Sequence, residues 1–228
     1  AMSMHGISYG IDTTTPDAEL SADAQAIDFL QFPTQTLEYG AGDCDDLSIC
    51  YSAAMEAVGI PAAFITVPGH IFAAFNTHVP ANRVGSAFPR PDELIIYEDE
   101  AWVPVEVTVL DKGFHEAWRI GARQWREHSE RDQAQIIPIQ QAWEAFEPIG
   151  FDTSSRQPIT PPDADVLARR YVDQLRDYID DAIAPQVARV EQVIRRRGPS
   201  VRDYNRLGVI YARYQMYDEA IEWFRKAV

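Results

Sequence analysis

Apolar and polar positions follow two periods along this chain, and the changeovers divide it into elements. Residues 17–30 repeat at helical spacing and stop short of Pro33, which predicts an amphipathic helix. Residues 34–43, with their Gly and Thr, read as a loop. From Cys44 to Val58 the apolar residues Leu47, Ile49, Cys50, Ala53, Ala54, Ala57 and Val58 make one broad buried face. Gly59 and Pro61 end that helix, and Asp43, Asp45 and Asp46 place negative charge where a helix start favours it.

The period then shortens. Residues 62–67 and 70–76 predict two strands about the turn Pro68-Gly69. Residues 77–93, with Pro80, Pro89 and Pro91, read as a surface loop. Residues 94–97 and 102–109 predict a hairpin about Glu98-Asp99-Glu100. Helical spacing returns after Lys112-Gly113, with Phe114, Trp118 and Trp125 as its large apolar residues. Pro148, Pro158, Pro161 and Pro162 give residues 148–162 the composition of a linker. Everything after Asp163 reads helical: one helix to about Ile183, a second restarting at Pro185 and closing at Gly198-Pro199, then a separate terminal unit.

The expectation is an α+β domain over 1–150, a linker at 151–162 and an all-α region over 163–228. A length of 228 residues suits that division. No apolar run approaches the roughly 20 residues of a membrane span. No charged-then-apolar leader opens the stretch, so any signal peptide is expected to lie outside it. A net charge of −15, with lysine almost absent, argues against a nucleic-acid partner. Arg195-Arg196-Arg197 is the one basic run, and it suits a helix C-terminus better than phosphate recognition.

Two cysteines make no disulfide framework. If Cys44 and Cys50 share a helix they are separated by about 9 Å along its axis, beyond the roughly 7 Å that a disulfide tolerates. Cys50 falls on the apolar face. Cys44 falls at the helix mouth behind Gly40 and Gly42, where a thiolate is stabilised. His70 follows Pro68-Gly69 at the head of a strand. Glu106 lies within an apolar strand, where an unpaired carboxylate is costly and an imidazole N–H is a good partner. Each residue alone is more often plain core than catalyst; the order Cys, His, acid is what singles them out.

Three segments together resemble the bacterial transglutaminase-like cysteine peptidases, which are papain-like in fold. They are Gly42-Asp43-Cys44 opening a helix that ends in Ala57-Val58-Gly59-Ile60-Pro61-Ala62, the strand with His70, and Trp102-Val103-Pro104-Val105-Glu106-Val107-Thr108. The resemblance covers roughly residues 30–110. It implies a cysteine-bearing helix packed on an antiparallel sheet, and a Cys44–His70–Glu106 triad acting through a thioester. Water would resolve that thioester in a peptidase or amidase, and an amine would do so in a crosslinking enzyme. The resemblance also implies a protein or peptide substrate, no required cofactor and a periplasmic setting. Two departures, Glu where the family usually has Asp and the 77–93 insertion, keep an inert scaffold as the alternative.

Gln35 has two readings, a second oxyanion donor beside the Cys44 N–H or an ordinary loop glutamine. Asp43, Asp45 and Asp46 also have two: they resemble the calcium-binding acids of adhesin-clipping relatives, or they cap the helix. Tyr204, Leu207, Gly208, Tyr211, Tyr217, Ala220, Phe224 and Ala227 fall at the signature positions of one tetratricopeptide repeat, over about 200–228. That resemblance implies a helical array for a protein partner, one that continues beyond this stretch.

Overall fold

The computed structural model describes residues 2–10, 29–150 and 160–228. The helix expected over 17–30 lies outside them except for its last two residues, and so does most of the expected linker. The chain divides into two compact units, Ala1–Ala168 and Arg169–Val228.

In chain order the first unit runs β1 (Ser8–Tyr9), α1 (Pro33–Tyr39), β2 (Ala41–Gly42), α2 (Cys44–Ala57), β3 (Ala62–Val67), β4 (His70–Pro80), α3 (Val84–Ala87), β5 (Ile95–Tyr97), β6 (Glu100–Val105), α4 (Phe114–Ser129), β7 (Gln135–Pro138) and α5 (Ile139–Ala145). Five strands form an antiparallel sheet in the order β5-β6-β4-β3-β7. β1 and β2 make a separate parallel pair. This is a mixed α/β unit, compatible with a transglutaminase-like core.

Register fixes which side chains meet. Val67 pairs with His70 and Ile65 with Phe72, so β3 and β4 are joined by the two-residue turn Pro68-Gly69, where Gly69 has φ +70°. Ala74 pairs with Pro104 and Asn76 with Trp102. Side chains alternate across a sheet, so His70, Phe72 and Ala74 share one face with Trp102, Pro104 and the position of Glu106. On that face Ala63, Ile65, Phe72, Ala74, Ile95 and Trp102 form the core, joined by Trp125 from α4. Burying a large apolar side chain contributes about 1.5–3 kcal/mol, so this cluster anchors the sheet.

Several expected boundaries differ. Residues 34–43 are not a loop: Pro33 opens α1, and the Gln35 side chain accepts from the Phe32 N–H at 2.8 Å, which caps a short helix. The stretch 77–93 is not a plain loop either. β4 continues to Pro80, and short helical turns follow at Ala81–Arg83, Val84–Ala87 and Pro91–Glu93. β6 ends at Val105 rather than Val109, because the chain turns at Val107-Thr108. β7 and α5 were not expected at all. Gln135–Pro138 is too short a strand to show alternation, and it is specified by pairing with β3.

The second unit is helical. It consists of α6 (Ala164–Arg197, which enters the unit at Arg169), α7 (Val201–Arg213) and α8 (Tyr217–Lys226). Pro185 was expected to break α6, yet the helix runs through it. A proline inside a helix costs about 3 kcal/mol. Here it sits on the exposed side, while Ile183, Val187 and Val190 bury the other side against Leu207 and Ile210. Packing outweighs propensity.

Ser200 caps α7 by accepting from the Asp203 N–H. Asp203 also takes Arg197 at 2.9 Å, and Arg195 pairs with Glu191, so two of the three consecutive arginines serve the end of α6. α7 and α8 form a hairpin in which the Phe224 ring lies directly on Gly208, Ala220 is buried, and Tyr204 stacks on Trp223 at 5.9 Å. Leu207 and Ala227 are buried, and Tyr211 lies against the core of the unit. Tyr217 is exposed, so it takes no part in the packing expected of it.

Candidate active site

Cys44 is the first residue of α2, and its side chain is half-buried. The backbone before it is held on two sides. Ser8 and Tyr9 pair with Ala41 and Gly42, and the Gly10 N–H donates to Gly42 O at 3.0 Å. On the other side the chain crosses so close to α2 that a Cβ on Gly42 would stand 2.7 Å from the Asp46 Cβ. Only glycine allows that approach, and it sets where the thiol-bearing turn begins.

Asp43 caps α2, and the Asp46 N–H donates to both Asp43 Oδ1 and Asp45 Oδ1. Buried Ser48 donates its hydroxyl to Cys44 O at 2.6 Å and stands 3.5 Å from Ile71 O. That contact docks the first turn of α2 beside the head of β4.

His70 opens β4 with its side chain a quarter exposed, and its ring stacks on Phe72. Its Nε2 is 2.8 Å from Glu106 Oε2. Glu106 lies one residue past β6 and is only 2% exposed. Its N–H donates to Ala117 O at 3.0 Å, which ties the strand exit to α4. Its other carboxylate oxygen, Oε1, accepts the Thr108 hydroxyl at 2.6 Å and the Thr108 N–H at 3.1 Å.

Burial pushes the Glu106 pKa up, but hydrogen bonds from His70 and Thr108 outweigh it and hold the carboxyl below its usual range. His70 moves the other way. A hydrogen bond with the Cys44 side chain, and then one with Glu106, raise its pKa from 6.5 to about 10 against the opposing effect of burial. With Nε2 engaged by Glu106, Nδ1 is the ring nitrogen left for the thiol. The structure thus pairs His70 with Glu106 and places the Cys44 turn beside the head of β4.

The other candidates divide. Cys50 is buried with its sulfur 3.8 Å from Pro33 O, and burial, aided by Asp46, pushes its pKa up to about 11. Both cysteines are free. Gln35 has its carbonyl oxygen fixed on Phe32, which leaves its NH2 end as a donor. Asp43, Asp45 and Asp46 offer carboxylate oxygens within 4.8 Å of one another. Asp46, however, turns both its oxygens to Gln31, accepting from the backbone N–H at 2.7 Å and the side-chain Nε2 at 2.5 Å.

Ser48 and Gln31 escaped the sequence reading, and Thr108 enters it only as the end of the Trp102–Thr108 segment, without a role. Thr108 left a signal, because a threonine two residues after a buried acid can return its N–H and hydroxyl to that acid. Gln31 acts through a contact 15 residues away, and Ser48 joins a local bond to Cys44 O with a contact to Ile71 O 23 residues away, so neither role left a signal.

A thiol at a helix start, near an imidazole that is itself held by a buried carboxylate, is an arrangement that can support nucleophilic chemistry. A family model described as Transglutaminase-like superfamily matches residues 14–107, a stretch that includes Cys44, His70 and Glu106. That stretch is therefore similar to the transglutaminase-like superfamily. No curated protein and no solved structure matches the chain significantly. No described helix is long and apolar enough to cross a membrane.

Proposed function

We propose that the first unit is a transglutaminase-like cysteine enzyme, a peptidase or amidase acting on a protein substrate, with Cys44 as nucleophile, His70 as acid–base and Glu106 as orienting acid. The observation that carries this reading is that His70, at the head of β4, meets buried Glu106 at 2.8 Å, while Ser48 docks the helix turn bearing Cys44 beside that same strand head. An imidazolium beside a thiol favours the thiolate, and a helix start favours it further.

Cys44 Sγ attacks the amide carbonyl carbon, and the carbonyl oxygen takes the negative charge. The Cys44 N–H is one donor to that oxyanion, and the NH2 end of Gln35 is the candidate second. The proton on His70 passes to the leaving nitrogen, the C–N bond breaks and a thioester remains. His70 then takes a proton from water, whose oxygen attacks the thioester. The C–S bond breaks, giving the carboxylate and the restored thiol. Glu106 stays ionised throughout and holds the ring in register. We further propose that the helical unit, with its repeat signature, binds a protein partner.

p-Nitrophenyl acetate tests the chemistry without a known substrate. Acetyl transfer to Cys44 with release of p-nitrophenolate, followed by turnover, is the expected result. Cys44→Ser and His70→Ala should abolish it. Acceleration by added amine would identify acyl transfer over hydrolysis. Equal release by wild type and Cys44→Ser would end the proposal.

A further inference from the structure

Charge is distributed unevenly along this acidic chain. Twelve of its 20 Lys and Arg residues, but only nine of its 35 Asp and Glu residues, fall in Arg169–Val228. The helical unit is thus net positive although the chain carries −15 overall. Within that unit the arginines fall into two groups. Arg176, Arg195 and Arg197 each meet a carboxylate, on Glu219, Glu191 and Asp203 respectively. Arg206 and Arg213 meet none among the described residues. Arg189 commits only its Nε, to Pro185 O at 3.2 Å.

These three arginines line one groove between α6 and α7. Arg206, Val209, Ile210 and Arg213 recur at the spacing of a single helix face, and Gln186 and Arg189 face them from α6. Val209 is exposed and Ile210 forms the floor beneath it. The groove encloses about 250 Å³. That is below the roughly 300–1,000 Å³ of small-molecule sites, so it suits a few side chains better than a cofactor. Unpaired arginines present forked donors that match carboxylates.

We propose that this groove is the docking site of the helical unit, and that it takes an acidic peptide segment with an apolar residue between its carboxylates. Arg189, Arg206 and Arg213 hold the carboxylates, while Val209 and Ile210 receive the apolar side chain. A long polyanion such as nucleic acid is disfavoured, because the rest of the chain is strongly negative and would repel it. The proposal rests on the reading of the helical unit as a binding module and is independent of the thiol chemistry.

The test is fluorescence anisotropy on the full chain with a labelled, end-blocked peptide Gly-Asp-Glu-Leu-Glu-Asp-Gly. Binding should weaken by about tenfold or more in Arg206→Glu and in Arg213→Glu, and it should fall with added salt. Arg206→Gln serves as the gentler variant. Arg202→Glu, an exposed arginine on the same helix outside the groove, should bind as wild type does. No binding, equal loss in Arg202→Glu, or tighter binding of a single-stranded oligonucleotide would overturn the proposal. Capture of a neutral Gly-Ser-Gln-Leu-Gln-Ser-Gly peptide with unchanged affinity in both groove variants would also overturn it, while leaving the module reading standing.

Discussion

Thr108 holds one oxygen of Glu106 from two sides, with its hydroxyl at 2.6 Å and its N–H at 3.1 Å, and so presents the other oxygen to His70 at 2.8 Å. A carboxylate this deeply buried needs several donors to stay charged. Thr108→Val keeps the shape and removes the hydroxyl. We expect a loss of about 1–3 kcal/mol in urea unfolding, since a hydrogen bond to a charged group is withdrawn. Thr108→Ser should recover most of it. Cys44 reactivity should fall in the valine variant and return with serine. Equal stability of all three proteins would show that the hydroxyl contributes nothing.

The His70–Glu106 pair predicts a pH window. His70 is raised from 6.5 to about 10 on folding, so the stability it contributes is complete below 6.5 and is lost as pH climbs towards 10. Glu106 is lowered from 4.5, so its contribution is complete above 4.5 and is lost as pH falls through its folded value. The pair therefore stabilises most between 4.5 and 6.5. The Tm advantage of wild type over His70→Gln should shrink steadily on the alkaline side of that range. An advantage that grew towards pH 10 would have the wrong sign and would refute the linkage.

Gly121 on α4 packs against the strand end that leads into Glu106. A Cβ there would stand 3.0 Å from the Pro104 carbonyl carbon and 3.1 Å from the Val105 nitrogen, and backbone atoms cannot swing aside. Gly121→Ala should cost about 1–3 kcal/mol, the usual range for overpacking. It should also slow the thiol chemistry, because Glu106 hangs from the same helix through Ala117 O. A fully stable variant with unchanged reactivity would separate α4 from the site.

The hydrogen bonds of the acidic turn favour its capping reading over the calcium one. Asp46 gives both its oxygens to Gln31, while Asp43 and Asp45 accept from the Asp46 N–H. Millimolar calcium should therefore leave the Tm where EGTA leaves it. Asp43→Ala should lower stability by about 0.5–2 kcal/mol, as the loss of a cap does. A Tm that rises with calcium concentration would establish a ligand for the folded state instead.

How much of this was legible in the sequence follows from the range of the interactions involved. The helix from Cys44 and the strands about Pro68-Gly69 were readable because cap, period and turn residues all act locally. β7 was not, since Gln135–Pro138 becomes a strand only through β3. Continuity through Pro185 was not readable either, because it depends on the burial of Ile183, Val187 and Val190 against other helices. At the site, Cys44, His70 and Glu106 stood out by order and by the cost of an isolated acid. Gln31, whose partner lies 15 residues away, and Ser48, whose link to β4 spans 23 residues, did not.

The central claim is that Cys44 is a thiol activated by His70, and its rate of alkylation with and without His70 tests it most directly. Iodoacetamide labelling with mass mapping should modify Cys44 first. Cys50, buried and raised to about 11, should stay unlabelled. In His70→Ala the Cys44 reaction should slow by about tenfold or more. If Cys50 is labelled first, or if Cys44 reacts identically with and without His70, the account is wrong.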